Sequence, residues 1–229
     1  MEALMINTYY TGSSPKILAA NAIELTGINT YYIGGSPCSG KSTVAEIISE
    51  KYNLYYFKVD DFLEKYTKMG AAKGYEICLK QERMSAEETW MRDPLLQCNE
   101  EFTFYEEIFE FILSDLEKIN HNGIITEGAA YLPKLMKNSG VLENRYIAIT
   151  PSEDFQIEHY RQREWVPFVL EGCSDKDRAF SNWMKRDILF AKEVQKNCDN
   201  ERFYSIINNG SVNVDELVAM VVKHFGLGE

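Results

Sequence analysis

The stretch Tyr31–Thr43, YYIGGSPCSGKST, constrains the fold more than any other part of the chain. Two tyrosines and an isoleucine run into Gly34-Gly35. A short polar loop follows, and Gly40-Lys41-Ser42-Thr43 opens an apolar-periodic segment, STVAEIISEKYN. Gly35-Ser36-Pro37-Cys38-Ser39-Gly40-Lys41-Ser42 fits the spacing G-x-x-x-x-G-K-[ST]. Such a segment is a strand that ends in a loop wrapped round a polyphosphate, with a helix leaving it. Glycine permits positive φ and a close approach of backbone N–H groups to the anion. The new helix turns the positive end of its dipole to the same place. Lys41 then reaches the β and γ phosphates, and the Ser42 hydroxyl is a hard oxygen ligand for Mg2+. Gly35, Ser36, Pro37, Cys38, Ser39, Gly40, Lys41, Ser42 and Thr43 are therefore expected to hold a nucleoside triphosphate. Cys38 at the tip reads as a small filler. A redox-sensing thiol is the alternative there, because a helix N-terminus lowers thiol pKa.

The rest of the chain repeats a strand-then-helix rhythm. Short apolar runs stand at Thr30–Ile33, Leu54–Val59, Gly123–Thr126, Tyr146–Ile149 and Phe203–Ile207. Runs without alternation suit strands buried on both faces, as in a parallel sheet covered by helices. Helix starts are marked between them. Thr150-Pro151-Ser152-Glu153 offers an N-cap threonine, a proline at the first helical position and a glutamate to close a capping box. Asn213 with Glu216 offers a similar start for the last helix, whose stripe Val214, Leu217, Val218, Val221, Val222 and Phe225 ends at Gly226. An α/β fold follows, with a roughly five-stranded parallel sheet sandwiched by helices.

One connection is too long. Asp60 to Asn122 separates the second and third strands, where a minimal crossover needs about a dozen residues. The segment reads as helices over Asp61–Met69, Gly74–Met84, Ser85–Arg92 (with a Ser85–Glu88 capping box) and Phe104–Ile119. Residues 61–120 are thus a helical insert within a single domain spanning 1–229. It either shapes an acceptor side or cover, or is purely structural.

Composition narrows the ligand. The chain of 229 residues carries a formal charge of −11, with 45% hydrophobic and 26% charged residues. So acidic a chain has no general attraction for nucleic acid or anionic membrane, which favours a small phosphate ligand. Five cysteines at 38, 78, 98, 173 and 198 form no CxxC pair, which reads as reduced thiols and no zinc site. The N-terminal MEALMINTYYTGSS has neither a basic region nor a long apolar core, and no apolar run reaches membrane-spanning length. A cytoplasmic protein, monomer or homodimer, is expected.

Three motifs together resemble the P-loop kinase group of small nucleoside, nucleotide and metabolite kinases. The first is the loop itself. The second, Val59-Asp60-Asp61-Phe62, is similar to the D-x-F after the second strand of uridine kinase, phosphoribulokinase and chloramphenicol phosphotransferase. The third, Ile125-Thr126-Glu127-Gly128, resembles the E-G after the third strand of the uridine kinase group. The resemblance implies that Asp60 lies beside an acceptor hydroxyl. It also implies a lid with arginines after the fourth strand, which here falls on residues 161–190 with Arg161, Arg163 and Arg186. The loop Asn208-Asn209-Gly210-Ser211 stands where relatives contact adenine, so Asn209 and Gly210 join the nucleotide side; a plain strand-to-helix turn is the alternative.

The residues by themselves lead to a compatible site. Ligands of an open parallel sheet sit at the carboxyl ends of its strands, which here carry Gly34-Gly35, Asp60-Asp61 and Glu127. Carboxylates repel phosphate unless they bind its metal or its acceptor's proton. Asp60 is then base or hydroxyl-orienting group and Glu127 metal shell or acceptor contact, with the two roles exchangeable, both open as metal partners beside Ser42, and Asp61 in reserve. Asp60 could also be a helix N-cap. The expected activity is transfer of the γ-phosphate of ATP, with Mg2+, to a hydroxyl of a nucleoside or other metabolite. A regulatory nucleotide-binding module and a nucleotide (monophosphate) kinase are the alternatives. No N-K-x-D is present to read guanine, and Arg83 and Arg92 are the only arginines from Val44 to Asn144. That favours an acceptor that starts as a neutral or weakly charged alcohol. Phe62, Tyr66, Tyr75 and Trp90 could stack a ring or fill a core. His121, His159 and His224 show no metal-ligand spacing.

Overall fold

The structure, a computed structural model, describes residues 29–228; the reading of MEALMINTYYTGSS lies outside them. Five strands form one sheet: β1 (Thr30–Gly35), β2 (Tyr55–Lys58), β3 (Ile124–Glu127), β4 (Tyr146–Pro151) and β5 (Tyr204–Asn208), in the order β2-β3-β1-β4-β5. Every neighbouring pair is parallel. The three central strands are buried along their whole length, which is why their sequences do not alternate.

Helices α1 (Lys41–Tyr52) and α10 (Val214–Phe225) cover one face. Val44, Ile48, Leu217, Val221 and Phe225 pack there against Tyr31, Ile33, Ile125 and Ile147. The other face carries α5 (Pro94–Leu116), α6 (Pro133–Asn138) and α9 (Lys176–Glu201), with Ile108, Ile112, Met136, Phe190 and Val194 in its core. Each fully buried aliphatic or aromatic side chain contributes about 1.5–3 kcal/mol. Between β2 and β3 lie a 3-10 turn (Val59–Phe62), α2 (Leu63–Lys73), α3 (Glu76–Arg83), α4 (Ala86–Trp90) and then α5. Between β4 and β5 lie α7 (Glu153–Arg161), α8 (Val166–Val169) and α9. Among the described residues no helix is long and apolar enough to cross a membrane.

Two capping boxes form as the sequence indicates, Ser85 with Glu88 and Asn213 with Glu216. Several boundaries differ, α2 running Leu63–Lys73 where Asp61–Met69 is expected. Thr150 and Pro151 belong to β4, and α7 starts at Glu153, two residues beyond Pro151, with Ser152 at its N-cap and no side-chain cap bond. The Thr150 hydroxyl instead accepts a bond from Gln195 Nε2 at 2.7 Å, a partner on α9 invisible to local sequence. Helix α5 begins at Pro94, well before the expected Phe104, because the Asp93 carboxylate accepts from the amides of Leu95 and Leu96 at 2.9 and 3.1 Å.

A third, smaller core ties the two helical excursions together. Tyr160, Val166, Leu170, Trp183 and Met184 pack with Trp90 and Met91, and Cys38 of the loop touches the same cluster. Glu87 of α4 accepts from the Ser174 amide at 2.7 Å and its hydroxyl at 2.8 Å. Asn182 Nδ2 donates to the Trp90 carbonyl at 3.0 Å.

Candidate active site

All strands being parallel, their carboxyl ends share one edge, and the loop from Gly35 to Gly40 stands at its centre. Gly35 has φ +119°, and a Cβ there would lie 1.9 Å from the Ile149 carbonyl oxygen, so β1 can hug β4 only with glycine at this position. Cys38 (φ 64°) and Gly40 (φ 89°) are also left-handed, which curls the chain into a concavity of N–H groups. Among the described residues, no backbone or side-chain acceptor meets the amides of Cys38 to Thr43. The first backbone bond into α1 runs from Val44 N to Gly40 O at 3.1 Å. Those free donors at a helix N-terminus form a ready anion cradle. Lys41 is buried beneath it, with Nζ donating to the Ser36 carbonyl at 2.6 Å and lying 3.5 Å from Ser39 Oγ. The Ser36 hydroxyl is buried and has no partner among the described residues.

The last residue of β3, Glu127, pairs in register with Ile33 of β1 and Lys58 of β2. It is 1% exposed. Its Oε1 accepts from Ser42 Oγ at 2.9 Å and from Tyr56 Oη at 3.2 Å. Burial pushes the Glu127 carboxyl up, Lys41 draws it back, and the charge of Asp60 pushes it up again. Burial and the Glu127 charge raise the Tyr56 phenol, which therefore remains a donor. The Ser42 proton is spent on Glu127, so the serine's lone pairs are free. A serine hydroxyl and a carboxylate beside a polyphosphate cradle are the hard oxygen donors that Mg2+ takes, so the residues fit that ion.

Asp60 sits in the 3-10 turn after β2, exposed, within Coulomb reach of Glu127 and Tyr105. It is not a helix cap: α2 starts from Phe62 with no side-chain cap bond. Asp61 is exposed, 3.9 Å from Lys58 Nζ.

The three arginines of the expected lid fall in three environments. Arg163 reaches the loop itself, with Nη2 3.6 Å from Cys38 Sγ, and its guanidinium faces the rings of Tyr160 and Trp165. Arg161 points elsewhere, 5.9 Å from the Phe180 ring, along a groove between α7, α8 and α9. Arg186 is half-buried in an ion-pair cluster. Its Nη1 donates to Glu101 Oε2 at 2.8 Å, and its Nε lies 2.6 Å from Asp187 Oδ1, turned out of line for a hydrogen bond. Burial raises the Asp187 carboxyl against the pull of Arg186, and Tyr160 Oη donates to it at 3.1 Å. Arg186 also lies 5.2 Å from the Trp90 ring.

The aromatics of the insert are packing residues. Phe62 stacks on Phe57, Tyr66 is fully buried, Tyr75 lies beside Phe111, and Trp90 stacks on Trp183 with centroids 4.6 Å apart. Burial pushes the Cys38 thiol up, and Arg163 only partly offsets it. All five cysteines are free, and the described residues contain no cluster of three or more His, Cys, Asp or Glu side chains placed to hold a metal by themselves.

At the end of β5 stands a residue that sequence reasoning passed over. Asn208 Nδ2 donates to the Ser39 carbonyl at 3.1 Å while its Oδ1 accepts from Gly210 N at 3.0 Å, so one buried amide ties β5 to the phosphate loop. Its position at a strand's carboxyl end, one residue before Asn209-Gly210, was the available signal. Asn209 Oδ1 accepts from Ser211 N at 3.0 Å. Gly210 (φ 78°) lies against Phe155, whose ring is 3.1 Å from where a Cβ would stand. Both therefore sit in a tight turn beside the cradle. Tyr56 was likewise not anticipated, since a tyrosine in a β-rich run reads as packing.

A solved structure shares this architecture. A shikimate kinase from Bacteroides thetaiotaomicron superposes with a TM-score of 0.51 at 15% identity, over 87% of this chain and 99% of that one. A shikimate kinase from Acinetobacter baumannii, in complex with shikimate, gives 0.49 at 13% identity, over 89% and 96%. No family model matches the chain, and no curated protein matches it. The likeness is one of fold: the chain has the α/β fold of the P-loop kinases, as its motifs lead one to expect.

Proposed function

We propose that this P-loop kinase fold works as an ATP- and Mg2+-dependent phosphotransferase that moves the γ-phosphate to a hydroxyl of a small molecule. One observation carries the reading. Ser42 donates to a buried Glu127 at 2.9 Å, directly beside a curl of acceptor-free amides and Lys41. A structural turn has no use for that combination; a metal–triphosphate does.

The residues divide the work. The amides of Cys38 to Thr43 and the Lys41 ammonium hold the phosphates, and Asn208 keeps the loop in shape. Ser42 and Glu127 hold the metal and its water shell, and Mg2+ when bound neutralises charge on the β and γ oxygens. Asp60, exposed at the rim and uncommitted to any helix cap, orients the acceptor hydroxyl. Arg163, already against the loop, balances charge on the migrating group. Arg161 and Arg186 are not assigned there. Asn209 and Gly210 border the adenine.

The acceptor is a neutral or weakly charged alcohol. Of the arginines on the acceptor side, Arg92 pairs with Glu100 at 2.6 Å and Arg186 with Glu101 and Asp187, while Arg83 stands exposed on α3. This favours alcohol phosphorylation over nucleotide monophosphate phosphorylation. The test is a metabolite-pool screen with labelled ATP and Mg2+, with Lys41→Ala as control. Transfer of label to a small molecule, lost in Lys41→Ala, is expected. Equal ATP affinity of Lys41→Ala and wild type by calorimetry refutes the nucleotide site. No transfer to any small molecule, with ATP-dependent capture of a protein instead, refutes the kinase.

A further inference from the structure

Tyr56 presents a hydroxyl that the sheet's packing does not require. The residue lies on β2 opposite Ile125, two pairs before Lys58 opposite Glu127. Tyr56 and Glu127 therefore point to the same face of the sheet, the face that α1 covers, and stand diagonally across two strands. A diagonal neighbour is about 7–8 Å away, within reach of an aromatic side chain. The ring is half-buried against the α1–α10 core, where phenylalanine would pack as well. The hydroxyl is spent on Glu127 Oε1 at 3.2 Å.

The same oxygen takes the Ser42 proton at 2.9 Å. We propose that Tyr56 is a positioning residue for Glu127: together with Ser42 it occupies Oε1, fixes the rotation of the carboxylate and leaves Oε2 for the metal's water shell. This rests on reading the site as one for Mg2+ and ATP. The need for such a restraint comes from the neighbours. Lys41 and Asp60 both act electrostatically on Glu127. A Glu127 free to turn toward Lys41 would pair with the ammonium that the phosphates need. With two donors on one oxygen, that turn costs two hydrogen bonds, one from Ser42 and one from Tyr56. Tyr56 touches no phosphate and is not itself a ligand; it acts through Glu127.

Outer hydrogen bonds of this kind are worth about 10–100-fold in metal affinity. The experiment uses the full chain, saturating ATP and Mn2+ as the probe, with free Mn2+ followed by electron paramagnetic resonance. Tyr56→Phe is expected to weaken Mn2+ binding to the ATP complex by about tenfold. ATP affinity measured calorimetrically in EDTA should stay within about twofold, since no phosphate contact is removed. Glu127→Gln should weaken Mn2+ at least as much, and the double variant should be no weaker than Glu127→Gln alone, because the hydroxyl acts only through the carboxylate. Equal Mn2+ affinity in Tyr56→Phe and wild type, with Glu127→Gln impaired, overturns the role of Tyr56 and leaves the metal site standing. Additive losses in the double variant also overturn it. If Glu127→Gln binds Mn2+ like wild type, the metal reading of Glu127 falls, and Tyr56 with it. Thermal unfolding of each variant separates these outcomes from loss of fold, and Tyr56→Leu, which keeps an apolar side chain but no ring, should match Tyr56→Phe in Mn2+ affinity.

Discussion

Replacing Arg186 by leucine decides whether this arginine serves the fold or the chemistry. In the wild type its guanidinium sits 2.8 Å from Glu101 and 2.6 Å from Asp187, with the three side chains 12%, 19% and 2% exposed. Leucine fills much of the space but leaves two carboxylates in a dry setting with no cation. Breaking a buried pair from one side costs about 3–5 kcal/mol, because the stranded charge has neither water nor partner. Urea unfolding near neutral pH should show that loss as a lower midpoint with an unchanged slope. The loss should shrink in acid. Burial already raises the Asp187 carboxyl, and without Arg186 it rises further. The folded variant then holds protons that the unfolded chain has released, so its stability falls as pH rises through that carboxyl's folded pKa. The penalty at about pH 5 should therefore be smaller than at about pH 8. Adding Asp187→Asn should recover part of it. A cost below about 1 kcal/mol, or a loss of turnover at unchanged stability with no recovery in the double variant, would refute this account of Arg186.

Other outcomes follow from the same geometry. Asp60→Asn keeps size and removes charge, so kcat should drop by about 10²–10⁴-fold while calorimetry shows ATP still bound. Arg163→Ala should act mainly on kcat. Arg161→Ala, directed at Phe180, should leave kcat within about twofold; steady-state kinetics of the pair checks both. Gly35→Ala must strain a φ of +119° and place a methyl 1.9 Å from the Ile149 carbonyl, so thermal unfolding should report at least about 2 kcal/mol of lost stability. Asp115 is pushed up by burial, but bonds from Lys65, Lys118 and Tyr66 outweigh it and hold the carboxyl at about 2. Its contribution is present above the usual aspartate range and lost as pH falls toward about 2. Asp115→Asn should therefore flatten the acid limb of a stability–pH curve between about pH 4 and 2.

Local chemistry made much of this protein legible from its chain alone. The glycine spacing of the phosphate loop, the unalternating strands and the carboxylates at strand ends are properties of short segments. Each is set by sterics or by burial of nearest neighbours, so residues within a turn of one another carry the information. The parallel sheet, the cradle and the strand-end positions of Asp60 and Glu127 follow. The roles of individual side chains do not, because each depends on a partner far along the chain. Arg186 looked like the other lid arginines until α5 brought Glu101, 85 residues away, against it. Tyr56 meets Glu127 across 71 residues, and Asn208 meets Ser39 across 169. Even the start of α7 moved, because Gln195 on α9 claims the Thr150 hydroxyl that its own sequence offers as a cap. A polar side chain has several nearly equivalent partners within its own segment, and folding chooses among them by which one burial leaves without water. That choice belongs to the tertiary structure.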